Sequence, residues 1–168
     1  QFPDPLNKKP VVVHSPSAPV AKGTKFILQA IESLKAKYDF EFVLVENMAR
    51  EKALETMRGC DIFVDQLIIG SHGYAAVEAM AFGKPVVCYI NPVTGKNYLP
   101  ELPIFNANPE NITEKLEILL KDGALRNELG KKGRNYVEKY HDDKKLAENL
   151  AKTYREVIRL HRKKAESI

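Results

Sequence analysis

The stretch Gly70–Ile90, GSHGYAAVEAMAFGKPVVCYI, constrains the fold of this chain more than any other. A glycine-bearing turn leads into an almost wholly apolar helical run that ends at Gly83. Lys84 and Pro85 follow, and then a run of buried-strand type, VVCYI. One acid, Glu78, sits in the middle of the apolar helix. An ionised carboxylate is costly to bury without partners. Helical side chains lean toward the N-terminus of their own helix, so Glu78 points toward the mouth of the glycine turn. The free N–H groups of a helix N-terminus form an anion site there, and a carboxylate just inside it can accept hydrogen bonds from hydroxyls. Phosphate plus sugar hydroxyls suggests a nucleotide or nucleotide-sugar. A plainer reading fits the same residues: Glu78 is solvated on a half-buried helix and the glycines only make turns.

Around this stretch, strand-like and helix-like segments alternate. Val11–His14 is a short β-branched run. Thr24 to Lys37 has apolar residues at amphipathic-helix spacing. Phe40–Val45 reads as a strand, Glu51–Arg58 as a short helix stopped by Gly59, and Ile62–Val64 as a strand flanked by aspartates. Tyr74–Phe82 and Val86–Ile90 complete the unit, with Leu102–Phe105 as a last short strand. Beyond it the pattern is helical. Asn108-Pro109-Glu110 reads as an N-cap, an N1 proline and a first-turn acid. Gly123 and Gly130–Gly133 punctuate two further short helices, and Leu146–Leu160 forms a terminal one. Such alternation predicts an α/β, Rossmann-like three-layer sandwich with a mostly parallel sheet covered on both faces. Ligands of such sheets sit at the carboxyl ends of the strands. Residues 1–10 are proline-rich and read as an irregular linker, with residues 11–168 as one domain, which looks like a piece cut from something longer.

Composition excludes several classes. A chain of 168 residues can bury roughly 70% of its unfolded surface and needs no metal or disulfide for stability. A net charge of +4, with many basic residues interleaved with acids in the last helix, argues against nucleic acid as a partner. Cys60 and Cys88 belong to no CxxC or Cys/His cluster and read as buried thiols in a reducing, cytoplasmic compartment. No apolar stretch reaches the length of a membrane span.

The string GYAAVEAMAFGKPVVCYI resembles the nucleotide-sugar-binding signature of family 4 glycosyltransferases of the GT-B fold, which runs E-x-F-G-x-x-x-x-E-A-M-A-x-G-x-P-V-V. Three further stretches agree. Ala21-Lys22-Gly23-Thr24 before an amphipathic helix resembles the family's K-G-x-x-x-L-I-x-A segment. Met57–Ile62 resembles its Y-x-x-A-D-V segment. Leu119 to Asp122, Leu125-Arg126, Leu129-Gly130 and Gly133-Arg134 resemble its C-terminal helices. The resemblance covers about Val11 to Tyr154 and implies the C-terminal, donor-holding half of a two-domain enzyme. The N-terminal half, with most acceptor contacts, is not matched.

Carried over residue by residue, the resemblance implies that Glu78 accepts hydrogen bonds from the ribose hydroxyls. It implies that Gly73 and Tyr74 offer N–H groups to the diphosphate, with Gly70 and Ser71 in the same turn. Lys22 would neutralise the departing diphosphate as a fixed electrostatic catalyst. The loop Glu46–Met48 would border the base, through Glu46 and Met48. Two positions depart from the family. The first glutamate of its E-x7-E pair falls on Gly70, and the arginine that often precedes the lysine is absent, with Ser17 and Pro19 at the plausible positions. His72, beside the missing glutamate, could contact the sugar or a phosphate, or be an ordinary surface residue.

Lesser candidates are His14 and Asp65, each ending a strand on the ligand rim. His14 either reaches the donor or acceptor or is bonded to backbone. Lys96 either approaches a phosphate or is solvated. Nothing resembles the D-x-D metal motif of the other glycosyltransferase architecture, so metal-independent chemistry with no cofactor is expected. The implied partners are a nucleotide-diphospho-sugar donor and a glycan or lipid acceptor held by the other half, which would also carry any peripheral membrane contact. The implied activity is retaining sugar transfer in glycan, polysaccharide or glycolipid synthesis. Two rivals stay open: a GT-B-like sugar-nucleotide epimerase fragment, and a degenerate GT-B module acting as a scaffold.

Overall fold

The computed structural model describes residues 1–96, 98 and 101–166. Five short strands, β1 (Val11–His14), β2 (Glu41–Leu44), β3 (Ile62–Val64), β4 (Val86–Cys88) and β5 (Ile104–Asn106), form one sheet in the order β2-β1-β3-β4-β5. Every neighbouring pair is parallel. The strands are built from β-branched and apolar residues because both faces are covered, which favours continuous apolar runs over alternation.

Successive strand residues point to opposite faces, and the two faces feed two cores. Val12, Ile62, Val64 and Val87 pack with Ile27, Ile31 and Leu34 of α2 (Thr24–Lys35) and with Leu116 and Leu119 of α6 (Ile112–Lys121). Val13, Phe63, Val86 and Cys88 pack on the other side. Their partners there are Met57 of α3 (Arg50–Gly59), Ala76 and Met80 of α4 (Tyr74–Ala81), and Tyr136 of α7 (Gly123–Tyr140). The expected three-layer sandwich is therefore present. Cys60 and Cys88 are both free and buried, and burial pushes each thiol up to about 12.

Two expectations about the C-terminal helices need correction. Gly130 and Gly133 do not break a helix, because α7 runs through both. They are sites of close approach: a Cβ at Gly130 would sit 2.2 Å from the Gly83 carbonyl oxygen, and one at Gly133 would sit 3.1 Å from Met80 Cγ. Nor does Asn108 cap α6. Its Oδ1 accepts from the Glu110 and Asn111 N–H groups in a preceding turn, and α6 starts at Ile112. The Asn108 side chain satisfies local backbone donors before the helix rather than at its first turn.

The terminal helix α8 (Asp143–Glu166) carries the expected apolar stripe, but Leu146, Leu150, Tyr154, Val157, Ile158 and Leu160 are exposed. No helix among the described residues is long and apolar enough to cross a membrane. Residues 1–10 are irregular, yet tied down. Pro3 carbonyl accepts from Asn127 Nδ2 at 2.8 Å, and Asn7 carbonyl accepts from Arg126 Nη2 at 2.7 Å. Buried Arg126 also donates to the Leu119 and Leu120 carbonyls, closing the C-terminal end of α6.

Candidate functional site

In a sheet of order 2-1-3-4-5 the chain reverses direction of winding between β1 and β3, and the crevice beyond the carboxyl ends of those strands is where ligands bind. A cavity of about 570 Å3 lies there. Its walls come from the Ser15–Ser17 loop after β1, from Lys22 at the end of α1 (Pro19–Lys22), from the loop after β2, and from the start of α4. It brings together Lys22, Glu46, Met48, Gly73, Tyr74 and Glu78 of the residues expected from sequence. A second cavity, of about 670 Å3, lies between the start of β5 and α7 and contains none of them.

Glu78 is one turn into α4, and its side chain is 30% exposed, in keeping with a carboxylate that opens on the cavity. Its partner is Arg50, whose Nη2 donates to Glu78 Oε1 at 2.6 Å. Sequence reasoning misses Arg50, although it opens α3. A cation in a helix's first turn opposes the macrodipole and signals a carboxylate nearby. The ion pair uses Oε1, which leaves Oε2 free to accept from a ligand hydroxyl.

Lys22 and the start of α4 are linked by Asp65. Lys22 Nζ donates to Asp65 Oδ1 at 2.5 Å, and the Gly73 N–H donates to Asp65 Oδ2 at 2.9 Å. The Asp65 side chain is wholly buried and the Lys22 side chain is 12% exposed. The Gly73 amide expected to face an anion is therefore already partnered. Among the described residues no group takes up the next two amides of α4, those of Tyr74 and Ala75. The loop before them is knitted by Gln66, whose Oε1 accepts from the Ile68 and Ile69 amides while Nε2 donates to the Ser71 and Tyr89 carbonyls.

Six expected residues lie outside the cavity lining: His14, Asp65, Gly70, Ser71, His72 and Lys96. His14 is buried, with Nδ1 2.8 Å from the Val64 carbonyl and Nε2 2.9 Å from Thr24 Oγ1. That is the backbone-bonded alternative. Burial lowers its pKa to about 4, against the weaker upward pull of the Val64 carbonyl. Gly70 adopts φ +87°, and a Cβ there would lie 2.9 Å from Asn91 Cβ. The position at which the resemblance implies a first glutamate is thus closed to a side chain. His72 is half-buried, 4.9 Å from the Tyr98 ring and 6.3 Å from His141, with burial lowering its pKa. Its Nδ1 has no partner among the described residues. Ser71 contributes its carbonyl to Gln66, and Lys96 is exposed and stands outside the cavity lining. Asp61 accepts from Asn7 Nδ2 and the Val11 amide, so the two aspartates that bracket β3 serve separate ties.

The matched family model describes glycosyl transferases group 1 and covers residues 42–136, more than half of the chain. This chain belongs to the group 1 glycosyltransferases. The matched span runs from β2 into α7 and includes α4 and the Glu46–Met48 loop. A curated relative, the N,N'-diacetylbacillosaminyl-diphospho-undecaprenol alpha-1,3-N-acetylgalactosaminyltransferase of Campylobacter jejuni, is 28% identical over 180 residues, covering 92% of this chain and 46% of the relative. The chain thus spans about half the length of that curated relative.

Solved structures agree on the fold. A mutant of TarM from S. aureus aligns with a TM-score of 0.67 and 16% identity over 90% of this chain and 36% of that one. Sucrose-phosphate synthase from Thermosynechococcus elongatus aligns with a TM-score of 0.67 and 20% identity, over 90% and 46%. The C-terminal domain of the group 1 family protein LpcC from Francisella tularensis aligns with a TM-score of 0.61 and 16% identity, over 84% of this chain and 96% of that one. As a group 1 glycosyltransferase chain, the molecule has the α/β architecture of one GT-B domain.

Proposed function

We propose that the cavity between β1 and β3 binds the nucleoside-diphosphate part of a nucleotide-sugar donor, and that the chain is the donor-binding, C-terminal half of a retaining hexosyl-type transferase. One observation carries this reading: a cation, two unpartnered helix N-terminal amides and a half-buried carboxylate converge on one cavity at the switch point of the sheet. Each suits a different part of the donor. The Tyr74 and Ala75 amides and the Lys22 ammonium suit phosphate oxygens. Glu78 suits paired ribose hydroxyls, through the oxygen that Arg50 leaves free. The Glu46–Met48 loop, with Asn47 at φ +52°, also lines the cavity and suits the base.

Charge that develops on the leaving diphosphate would be met by Lys22, a group fixed before the reaction starts, which is how electrostatic catalysis lowers a barrier. The residues present include no D-x-D motif, and the reading needs no metal or cofactor. The acceptor, a glycan or a lipid-linked glycan by analogy with the Campylobacter relative's named substrate, would come from the half that this chain does not include. The chain alone is therefore expected to bind donor and to transfer little or no sugar.

The test is amide chemical-shift mapping with UDP, GDP and ADP. Shifts concentrated at Lys22, Glu46–Met48, Gly73–Ala75 and Glu78 with one nucleotide support the reading. Shifts confined to the β5–α7 cavity, or none with any nucleotide, contradict it. Gly70 favours a second reading, a degenerate binding module. That reading predicts nucleotide binding without any hydrolysis of a sugar nucleotide by the whole protein.

A further inference from the structure

Lys22 and the Gly73 amide, two groups expected to meet the diphosphate, are both taken up by one internal carboxylate. Asp65 Oδ1 lies 2.5 Å from Lys22 Nζ and Oδ2 lies 2.9 Å from the Gly73 nitrogen. The carboxylate follows the carboxyl end of β3, outside the cavity lining, and its side chain has no exposure. An unpaired carboxylate there would be costly, and a paired one is held in place by its donors. The ammonium of Lys22 keeps two further N–H donors, but its charge is offset at close range before any ligand arrives.

The charges elsewhere in the cavity supply no surplus of positive charge. Arg50 is paired with Glu78, and Glu46 adds a further negative charge to the lining. A cavity that offers amides and N–H donors without net positive charge recognises an anion by geometry more than by charge. Coulomb attraction between unit charges a few ångströms apart is large enough in a partly buried site for this difference to govern affinity.

We propose that Asp65 is the charge-compensating residue of the diphosphate subsite, weakening its hold on a nucleoside diphosphate so that this product leaves after transfer. The proposal rests on the donor-site reading above. Product release limits turnover in many enzymes, and a subsite that bound the released diphosphate through a free lysine would hold it longer. Asp65 acts through Lys22 and α4 rather than on the donor itself, so it is a positioning residue and not a catalytic one. It also ties the α1 loop to the start of α4, two segments distant in sequence, which keeps the cation and the amides in register.

Asp65→Asn tests this. The 168-residue chain and its variant would be titrated with inorganic pyrophosphate and with UDP, GDP and ADP beside the corresponding monophosphates, at low and high salt. The variant is expected to bind the preferred diphosphate at least about tenfold more tightly at low salt, with a steeper loss of affinity as salt rises. In the wild type, whose measurement does not depend on the variant folding, the second phosphate should improve affinity less than about threefold and with a shallow salt slope. Equal affinity and equal salt slope in the two proteins, weaker binding by the variant, or a strong, salt-sensitive preference of the wild type for the diphosphate would each overturn the role of Asp65 while leaving the donor site intact. Binding of no nucleotide and no pyrophosphate by either protein would overturn the donor-site reading and this proposal together.

Discussion

Arg50 Nη2 stands 2.6 Å from Glu78 Oε1 and joins the first residue of α3 to the middle of α4 in the cavity lining. The arginine side chain is 73% exposed, so the pair is held in a solvent-screened setting. Such pairs contribute little to folding. Replacing Arg50, Glu78 or both by alanine should change unfolding free energy by less than about 1 kcal/mol, with a coupling of the same small size in a double-mutant cycle. Chemical denaturation measures it. A coupling of several kcal/mol would show that the pair is structural and not a poised binding group.

Gly70 should not accept the glutamate that the resemblance implies there. Its φ of +87° is a left-handed conformation, and its missing Cβ would sit 2.9 Å from Asn91 Cβ. The Gly70 carbonyl is also held by the Asn91 amide and by Thr94 Oγ1. Gly70→Glu is expected to lower stability by about 1–3 kcal/mol and to leave nucleotide affinity unimproved. Thermal denaturation with parallel titration reads both, and a stable variant with gained affinity would contradict the account.

His14 gives the fold a defined acid sensitivity. Its pKa falls from the usual 6.5 to about 4 because burial disfavours the imidazolium. A base with a depressed folded pKa binds more protons unfolded than folded between those two values. Stability from this residue is therefore fully present above about pH 6.5 and is lost as pH falls toward 4, by about 3 kcal/mol in total. Urea unfolding between pH 7 and pH 4 should show that loss, and His14→Gln should flatten this part of the profile. An unchanged slope in the variant would assign the acid sensitivity elsewhere.

The two halves of the helical tail should differ in their sensitivity to substitution. Gly130→Ala places a methyl 2.2 Å from the Gly83 carbonyl oxygen, and the strain should cost about 2–3 kcal/mol. Leu150→Lys on the exposed stripe of α8 should stay within about 0.5 kcal/mol. Thermal melts of the two variants compare them directly. A destabilising Leu150→Lys would mean that the stripe is covered in solution.

Much of this fold is legible in the residues because the signals are local. The β-branched run at Val11–His14 and the aspartate-flanked run at Ile62–Val64 form strands with the bounds expected, and Gly73 and Tyr74 open α4 where the apolar run begins. Sequence reasoning fails where a residue answers to a distant partner. Gly130 and Gly133 look like breakers in sequence but serve contacts with Gly83 and Met80. Asp65 reads as a rim residue, yet it is committed to Lys22 and Gly73, and Arg50 takes its meaning from Glu78 across 28 positions. His14 carries two readings that only the positions of Val64 and Thr24 separate.

The central claim is that this cavity holds a nucleoside diphosphate with Glu78 on the ribose. It is tested most directly by calorimetric titration of the chain with UDP, GDP and ADP and their sugar conjugates, repeated on Glu78→Ala. The account predicts saturable binding of one nucleotide, weakened by about 1–3 kcal/mol in the variant as its ribose hydroxyls lose their acceptor. Binding of that nucleotide with equal affinity by both proteins would contradict it.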